Sequence, residues 1–170
     1  MGVINDYVNA DTAANKLVAS VNSGKGQKTV TMIQTFEVAA ADSDGSIYRI
    51  FKNLDPELIP VNIQIANDAI TAGTVYDVGL YETLNEGQGG TVVSDAVFAS
   101  ALDLSSAHVS GSELSAISAI DQANRSKRIW ELAGHTQATK KAGYDLCLTA
   151  DTVGSAAGTI TVIATFALGN

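Results

Sequence analysis

Apolar and polar residues alternate with a period of two along much of this chain, most regularly between Gly45 and Glu82. Ile47, Arg49 and Phe51 fall on one side and Tyr48, Ile50 and Lys52 on the other. After the break at Leu54-Asp55-Pro56, Ile59, Val61, Ile63 and Ile65 recur at every second position, with Pro60, Asn62, Gln64 and Ala66 between them. Beyond 67–74, Tyr76, Val78 and Leu80 alternate with Val75, Asp77, Gly79 and Tyr81. Alternation over such short spans predicts half-buried strands, one face on a core and one in water. Read consecutively, the three runs predict an antiparallel meander at the centre of one core.

The same pattern flanks this stretch. Lys28–Ala39 is a predicted strand with Val30, Met32, Gln34, Phe36 and Val38 inward and Thr29, Thr31, Ile33, Thr35 and Glu37 outward. The turn after it is signalled by Asp44-Gly45. Tyr144–Thr149 and Thr159–Ala167 are predicted as a closing hairpin, with Ile160, Val162, Ala164, Phe166 and Leu168 on the core side. Between these, Asn85–Gly90 is a glycine-rich loop and Thr91-Val92-Val93 a short β segment. Ala96, Val97, Ala101 and Leu104 suggest a turn-like or helical face within Ser94–Leu104, and Leu114–Ile120 fits strand or helix. Asp121–Ala133 is predicted helical, ending at Gly134 where a C-cap glycine belongs.

Residues 1–26 differ from the rest. Asp11 is a candidate cap for a short helix with Ala14, Leu17, Val18 and Val21 on one stripe, ended by Ser23-Gly24. So short a helix is marginal in water, so the stripe needs a surface to pack on. The segment is either a cover for one end of the core or an arm docking on a neighbouring subunit. Val3, Ile4 and Tyr7 ahead of the stripe, with Leu17 and Val18 on it, are the candidate contacts of such an arm. The organisation expected is therefore a segment at 1–26 followed by one all-β domain at 27–170. That domain is a jelly-roll-like antiparallel β-sandwich with one or two short helices in its connections.

A formal net charge of −8 argues against non-specific nucleic-acid binding, which needs Lys and Arg to displace counterions. The lone cysteine, Cys147, admits no intrachain disulfide and reads as a small buried hydrophobe in a strand. No basic n-region with an apolar run opens the chain, and no apolar run is long enough to span a membrane, so a soluble protein made in a cytoplasm is expected.

Candidate chemistry is sparse. Ser23–Thr29 looks like a phosphate-binding loop, but Gln27 stands where the motif needs glycine, and a strand follows instead of a helix. Asp42-Ser43-Asp44-Gly45 begins like a calcium loop, yet Ile47 and Asn53 occupy its glycine and glutamate positions, which leaves a polar β-turn. His108 and His135 lie in separate loops without partners at metal-ligand spacing, and no G-x-S-x-G elbow is present. No catalytic residue, cofactor or metal is assigned. Arg125, Lys127, Arg128, Lys140 and Lys141 form the basic region of an acidic chain, either a solvated face or a contact for an acidic partner, with Arg125 and Arg128 the candidate contact residues.

Three segments carry a family resemblance: Ile65–Glu82, Gly90–Ala107 with its Val97-Phe98-Ala99-Ser100-Ala101-Leu102-Asp103-Leu104-Ser105 core, and Tyr144–Phe166. They resemble the capsid decoration, or cement, proteins of tailed bacteriophages, which have a jelly-roll fold. The resemblance spans roughly Gly45 to Ala167 and leaves the N-terminal segment unmatched. It implies a non-enzymatic virion protein made in the host cytoplasm. Such a protein sits on the outer capsid surface at junctions between capsomers and stabilises the shell against internal DNA pressure. The partners implied are the major capsid protein and copies of the chain itself, as a homodimer or homotrimer. A tail or baseplate accessory protein is the nearest alternative. A carbohydrate-binding sandwich is a second, although exposed aromatics for a sugar platform are few.

Overall fold

The structure, a computed structural model, describes residues 5–7, 16–20, 29–71, 74–83 and 90–168. In chain order the strands are β1 (Asn5–Tyr7), β2 (Lys16–Ser20), β3 (Thr29–Val38), β4 (Ile47–Leu54), β5 (Leu58–Asn67), β6 (Val75–Glu82), β7 (Val92–Asp103), β8 (Leu114–Ser115), β9 (Tyr144–Thr152) and β10 (Gly158–Leu168). One sheet has the order β1-β4-β9-β6-β7 and the other β2-β3-β10-β5-β8. From β3 onward each strand crosses to the opposite sheet, except that β7 follows β6 in the same one. That is the strand order of a jelly roll, so the expected all-β sandwich is observed.

The crossing connections correct two expectations. β4, β5 and β6 are not a meander, because β5 lies between β10 and β8 while β4 and β6 flank β9 in the other sheet. Nor do β9 and β10 form a hairpin: β9 pairs with β4 and β6, β10 with β3 and β5. Period-two alternation fixes which face of a strand is buried but is silent on which neighbour it pairs with.

The core lies between the sheets. Met32 and Phe36 from β3, Ile63 and Ile65 from β5, and Ile160, Val162, Ala164 and Phe166 from β10 face Tyr76, Val78 and Leu80 of β6 and Leu146, Leu148 and Ala150 of β9. The predicted faces of β3 and β10 are those observed, apart from half-exposed Leu168. Two strands break alternation at bulges. Thr165 pairs with Asn62 but Phe166 with Pro60, so Val61 is the extra residue and is 47% exposed. Ile59 and Val61 thus turn outward while Ile63 and Ile65 stay inside, as an inserted residue requires. In β4 the register slips between Arg49 and Phe51, which sends Phe51 inward with Tyr48 and leaves Arg49 on the opposite face.

Ser94–Leu104 belongs mainly to the twelve-residue β7, not to a helix. Three register shifts against β6 interrupt it, and Ala101 takes a positive φ of 54° with its N–H on Asp77 Oδ1 at 2.7 Å. Burial consequently falls on Phe98, Ala99 and Leu102, a spacing that imitates a helix. The helix expected over Asp121–Ala133 is a 3-10 turn at Gln122–Asn124 and a single α-helical turn, α1, at Ile129–Leu132. Gly134 does close it, with φ 73° and its N–H on the Glu131 carbonyl. Leu114–Ile120 is a two-residue strand followed by turns.

The N-terminal helix is also corrected. Lys16–Ser20 is strand, paired antiparallel with β3 from Lys16 opposite Ile33 to Ser20 opposite Thr29. Asn5–Tyr7 pairs in parallel with Ile47–Arg49. The two short strands therefore lie on the open edges of both sheets, where unpaired backbone groups of β3 and β4 offer them more than a lone helical turn would.

Candidate functional site

The basic region is largely consumed by internal pairing. Glu57, in the turn between β4 and β5, meets Arg128 Nε at 3.1 Å through Oε2 and Lys140 Nζ through Oε1. The Lys140 contact, with Arg128 adding to it, holds the Glu57 carboxyl below the usual carboxylate range. Lys141 pairs with Glu82 at 2.9 Å, at the end of β6, and is raised by that hydrogen bond. Arg128 also caps α1, its backbone N–H donating to Glu131 Oε2 at 2.8 Å. These pairs fasten the 116–143 connection to the ends of β5 and β6. Arg125 and Lys127 remain exposed, without a described ion pair. Of the two candidate contact residues, Arg128 is thus part of the fold and Arg125 is presented to solvent. Trp130 packs half-buried against the core.

Of the arm residues, Val3 and Ile4 lie outside the described residues, Tyr7 ends β1, and Leu17 and Val18 lie on β2 opposite Met32 and Thr31. The glycine-lysine stretch at 23–28 is likewise outside them, and Thr29 begins a strand, as expected.

A buried polar network that period-two reasoning missed lies on the outer face of the β4-β9-β6 sheet. Arg49 Nη1 meets Asp145 Oδ2 at 3.0 Å with both side chains fully buried. Arg49 Nη2 donates to the Gly90 carbonyl at 2.6 Å, and its guanidinium lies 5.0 Å from the Tyr81 ring centroid. Asp145 Oδ1 accepts from Asn53 N–H at 2.9 Å and from Thr83 Oγ1 at 2.5 Å. The network ties both feet of the glycine-rich connection to the sheet: Glu82 N–H bonds the Thr91 carbonyl and Gly90 N–H the Glu82 carbonyl. A charged residue flanked by Tyr48 and Ile50 was the one available signal, since a buried arginine needs a dedicated carboxylate.

None of the other candidates converges on chemistry. Asp42 Oδ2 accepts from Tyr48 Oη at 2.6 Å and Ala39 N–H at 2.9 Å, and Asp44 Oδ1 accepts from Val153 N–H at 2.9 Å. These carboxylates serve the polar turn at Gly45, whose φ is +80°. His135 Nδ1 contacts the Tyr144 hydroxyl, whereas His108 pairs through its backbone with Asn67 at the opposite end of the sandwich. Cys147 is buried, and burial pushes its thiol up, away from the reactive thiolate. Among the described residues no group of three or more His, Cys, Asp or Glu is placed to hold a metal ion, and no helix is long and apolar enough to cross a membrane. A shallow cavity of about 220 Å³ is lined by Asp68, His108, Ser110, Thr159 and Thr161, among others.

Charge divides sharply between the two ends. The end formed by connections 39–46, 67–74, 103–113 and 152–158 carries Asp42, Asp44, Asp68, Asp103 and Glu113, with Asp151 beside it near the end of β9, and no Lys or Arg. Lys52, Arg125, Lys127, Arg128, Lys140 and Lys141 all lie towards the other end. Among the described residues, no Lys or Arg lies in those connections to offset the negative charge.

No protein-family model matches the chain, and no curated protein does. Among solved structures, a chain from the capsid of Ralstonia phage GP4 superposes with a TM-score of 0.57 at 15% identity, covering 89% of this chain and 90% of that one. A chain from the capsid asymmetric unit of cyanophage Pam1 aligns over 94% and 96% at 15% identity, with a TM-score of 0.48 too low to bear on the fold. At such identity the first likeness establishes a shared fold.

Proposed function

We propose that this chain is a structural protein of a phage virion, and more specifically a capsid decoration protein on the outer surface of the shell. The observation that carries the reading is near-complete mutual coverage with a chain from a phage capsid, 89% and 90%. A shared fold does not by itself carry function, so this support is an analogy at the level of the fold. Two further features support the reading. The residue-level resemblance at Ile65–Glu82, Gly90–Ala107 and Tyr144–Phe166 is to the capsid decoration proteins of tailed phages. Among the described residues, Asp42 serves a turn, Arg128 and Glu131 cap α1, and Arg49 and Asp145 form a buried pair.

In this reading the N-terminal segment, through Val3, Ile4, Tyr7, Leu17 and Val18, and the exposed Arg125 contact the major capsid protein or a neighbouring copy. Individually weak contacts then gain from repetition on a symmetric lattice. The test is gradient sedimentation of particles from the producing lysate. Co-sedimentation with full capsids supports the proposal. Recovery with tails alone replaces it with a tail accessory role, and recovery as a free small species removes the virion reading. Deleting Met1–Gly24 tests the anchor, since normal decoration by the shortened chain would exclude it.

A further inference from the structure

The shallow cavity at the acidic end of the molecule opens on the outer face of the β2-β3-β10-β5-β8 sheet, where the loop at 108–110 forms one wall. Its floor is the end of the β10-β5 ladder. There Thr161 pairs with Ala66, and Asp68 N–H donates to the Thr159 carbonyl at 3.0 Å. The wall is built in: Asn67 exchanges backbone bonds with His108 in both directions, each at 2.9 Å. Asn67 Nδ2 also donates to the Leu104 and Ser106 carbonyls, each at 3.0 Å. Asp68 is held at the mouth by Thr159 N–H, which donates to its Oδ2 at 3.3 Å. Its Oδ1 has no partner among the described residues. The Thr161 hydroxyl is engaged with Thr35 Oγ1 at 2.9 Å, so Thr161, Ala66 and Val109 line the cavity with methyl groups. Val109 is 63% exposed.

We propose that this cavity receives an arginine side chain presented by a partner protein, its stem on Ala66, Thr161 and Val109 and its guanidinium on the Asp68 carboxylate. Size sets the scale of the occupant. The cavity holds about 220 Å³, below the roughly 300–1,000 Å³ of pockets that enclose a whole small molecule. One long side chain is what it can take. Charge sets the sign. Glu37 lies across Thr159 from Asp68 and accepts from Thr159 Oγ1 at 2.6 Å, so two carboxylates flank the floor. Among the described residues the lysine of this sheet is Lys16 on β2, in the row of Ile33, Ile163 and Gln64. Strands about 4.8 Å apart and a rise of about 3.3 Å per residue put it roughly 16 Å from Ala66. That exceeds the screening length of about 8 Å at physiological salt. Arg128, Lys140 and Lys141 lie at the other end, paired with Glu57 and Glu82. The cation must therefore come from outside the described chain. Guanidinium suits the site better than ammonium, because it is more weakly hydrated and its forked donors match a carboxylate. Its stem covers the methyl groups while the head stays at the wet rim. The inference stands on this cavity alone and does not depend on the virion reading.

Amide NMR titration of the isotope-labelled full chain with Nα-acetyl-arginine amide, a mimic of arginine within a chain, tests it. The probe is expected to saturate with a dissociation constant on the order of 1–10 mM, as one side chain allows. The shifts should centre on Asp68, His108, Val109 and Thr159. The citrulline counterpart, uncharged but of the same shape, should not saturate, and the lysine counterpart should bind more weakly. Asp68→Asn should weaken the arginine probe about fivefold. Asp95→Asn, the same charge change at an exposed position of the other sheet, should leave it unchanged. Shifts spread over the acidic surface, equal weakening by the two variants, or citrulline or lysine bound as tightly as arginine would overturn the proposal. So would tighter binding of free arginine than of the capped form, which would mark a small-molecule site. If Asp68→Asn does not fold, the wild-type shifts and the citrulline comparison decide alone.

Discussion

Arg49 and Asp145, ninety-six positions apart in the chain, meet at 3.0 Å with both side chains excluded from solvent. A pair so placed costs much to desolvate, and removing one partner strands the other charge. Asp145→Asn or Arg49→Met is expected to lower stability by about 3–5 kcal/mol in urea melts. The double replacement Arg49→Met/Asp145→Leu is expected to cost less than either alone, because no unpaired charge remains. A double variant as damaged as the worse single one would refute that division, and would place the network's worth in the Gly90, Asn53 and Thr83 bonds.

Gly79 has no room for a side chain. A methyl built there runs into the backbone carbonyl of Ser94 and the backbone of Asp95, which cross the outer face of β6. Gly79→Ala is therefore expected to destabilise by about 1–3 kcal/mol, as overpacking against fixed backbone does. By contrast nothing lies near a methyl at Gly111. There the cost comes from its φ of +92° alone, about 1 kcal/mol or more. Thermal melts that rank the two variants in the opposite order would contradict this packing.

Alkaline pH should unfold the protein through its buried tyrosines. Burial pushes Tyr76 up to about 12 and drives Tyr48 higher still, with its hydrogen bond to Asp42 adding to the effect. An unfolded tyrosine titrates near 10. Above that pH the folded state holds more protons than the unfolded one, so stability falls as pH rises from about 10 through the folded values. Absorbance at 295 nm should report the ionisation of these two tyrosines together with loss of near-UV circular dichroism. Ionisation of Tyr48 and Tyr76 well before unfolding would show that neither is shielded. Tyr48→Phe should flatten the alkaline slope.

Arg125 and Arg128 should separate in mutation. Arg128→Glu faces Glu57 and breaks their ion pair, so a small loss in stability is expected. Arg125→Glu touches no described partner and should leave the melting temperature unchanged while weakening capsid association. If Arg125→Glu decorates capsids like wild type, the basic region is not a contact.

Much of the fold was legible because one face of most strands meets a core. Period two placed Met32, Phe36, Ile160, Val162 and Ala164 inside, and the turn at Asp44-Gly45 was signalled by its residues. What escaped reading has local causes. The Val61 bulge reverses the faces of Ile59 and Ile63 without leaving a mark in composition. The kinks of β7 bury Phe98, Ala99 and Leu102 together, as a helix would. Sheet switching is a long-range choice, and so is the pairing of Lys16–Ser20 with β3, which replaced an expected helix. Arg128 looked like a surface cation because its carboxylate, Glu57, is distant in sequence.

The most direct test of the account is electron cryo-microscopy of the particles with which the chain co-sediments. The account predicts regular density outside a complete shell, into which this jelly roll fits, present in wild-type particles and missing from particles made without the chain. Density for the chain within the continuous shell, on the tail only, or nowhere on the particle would contradict it.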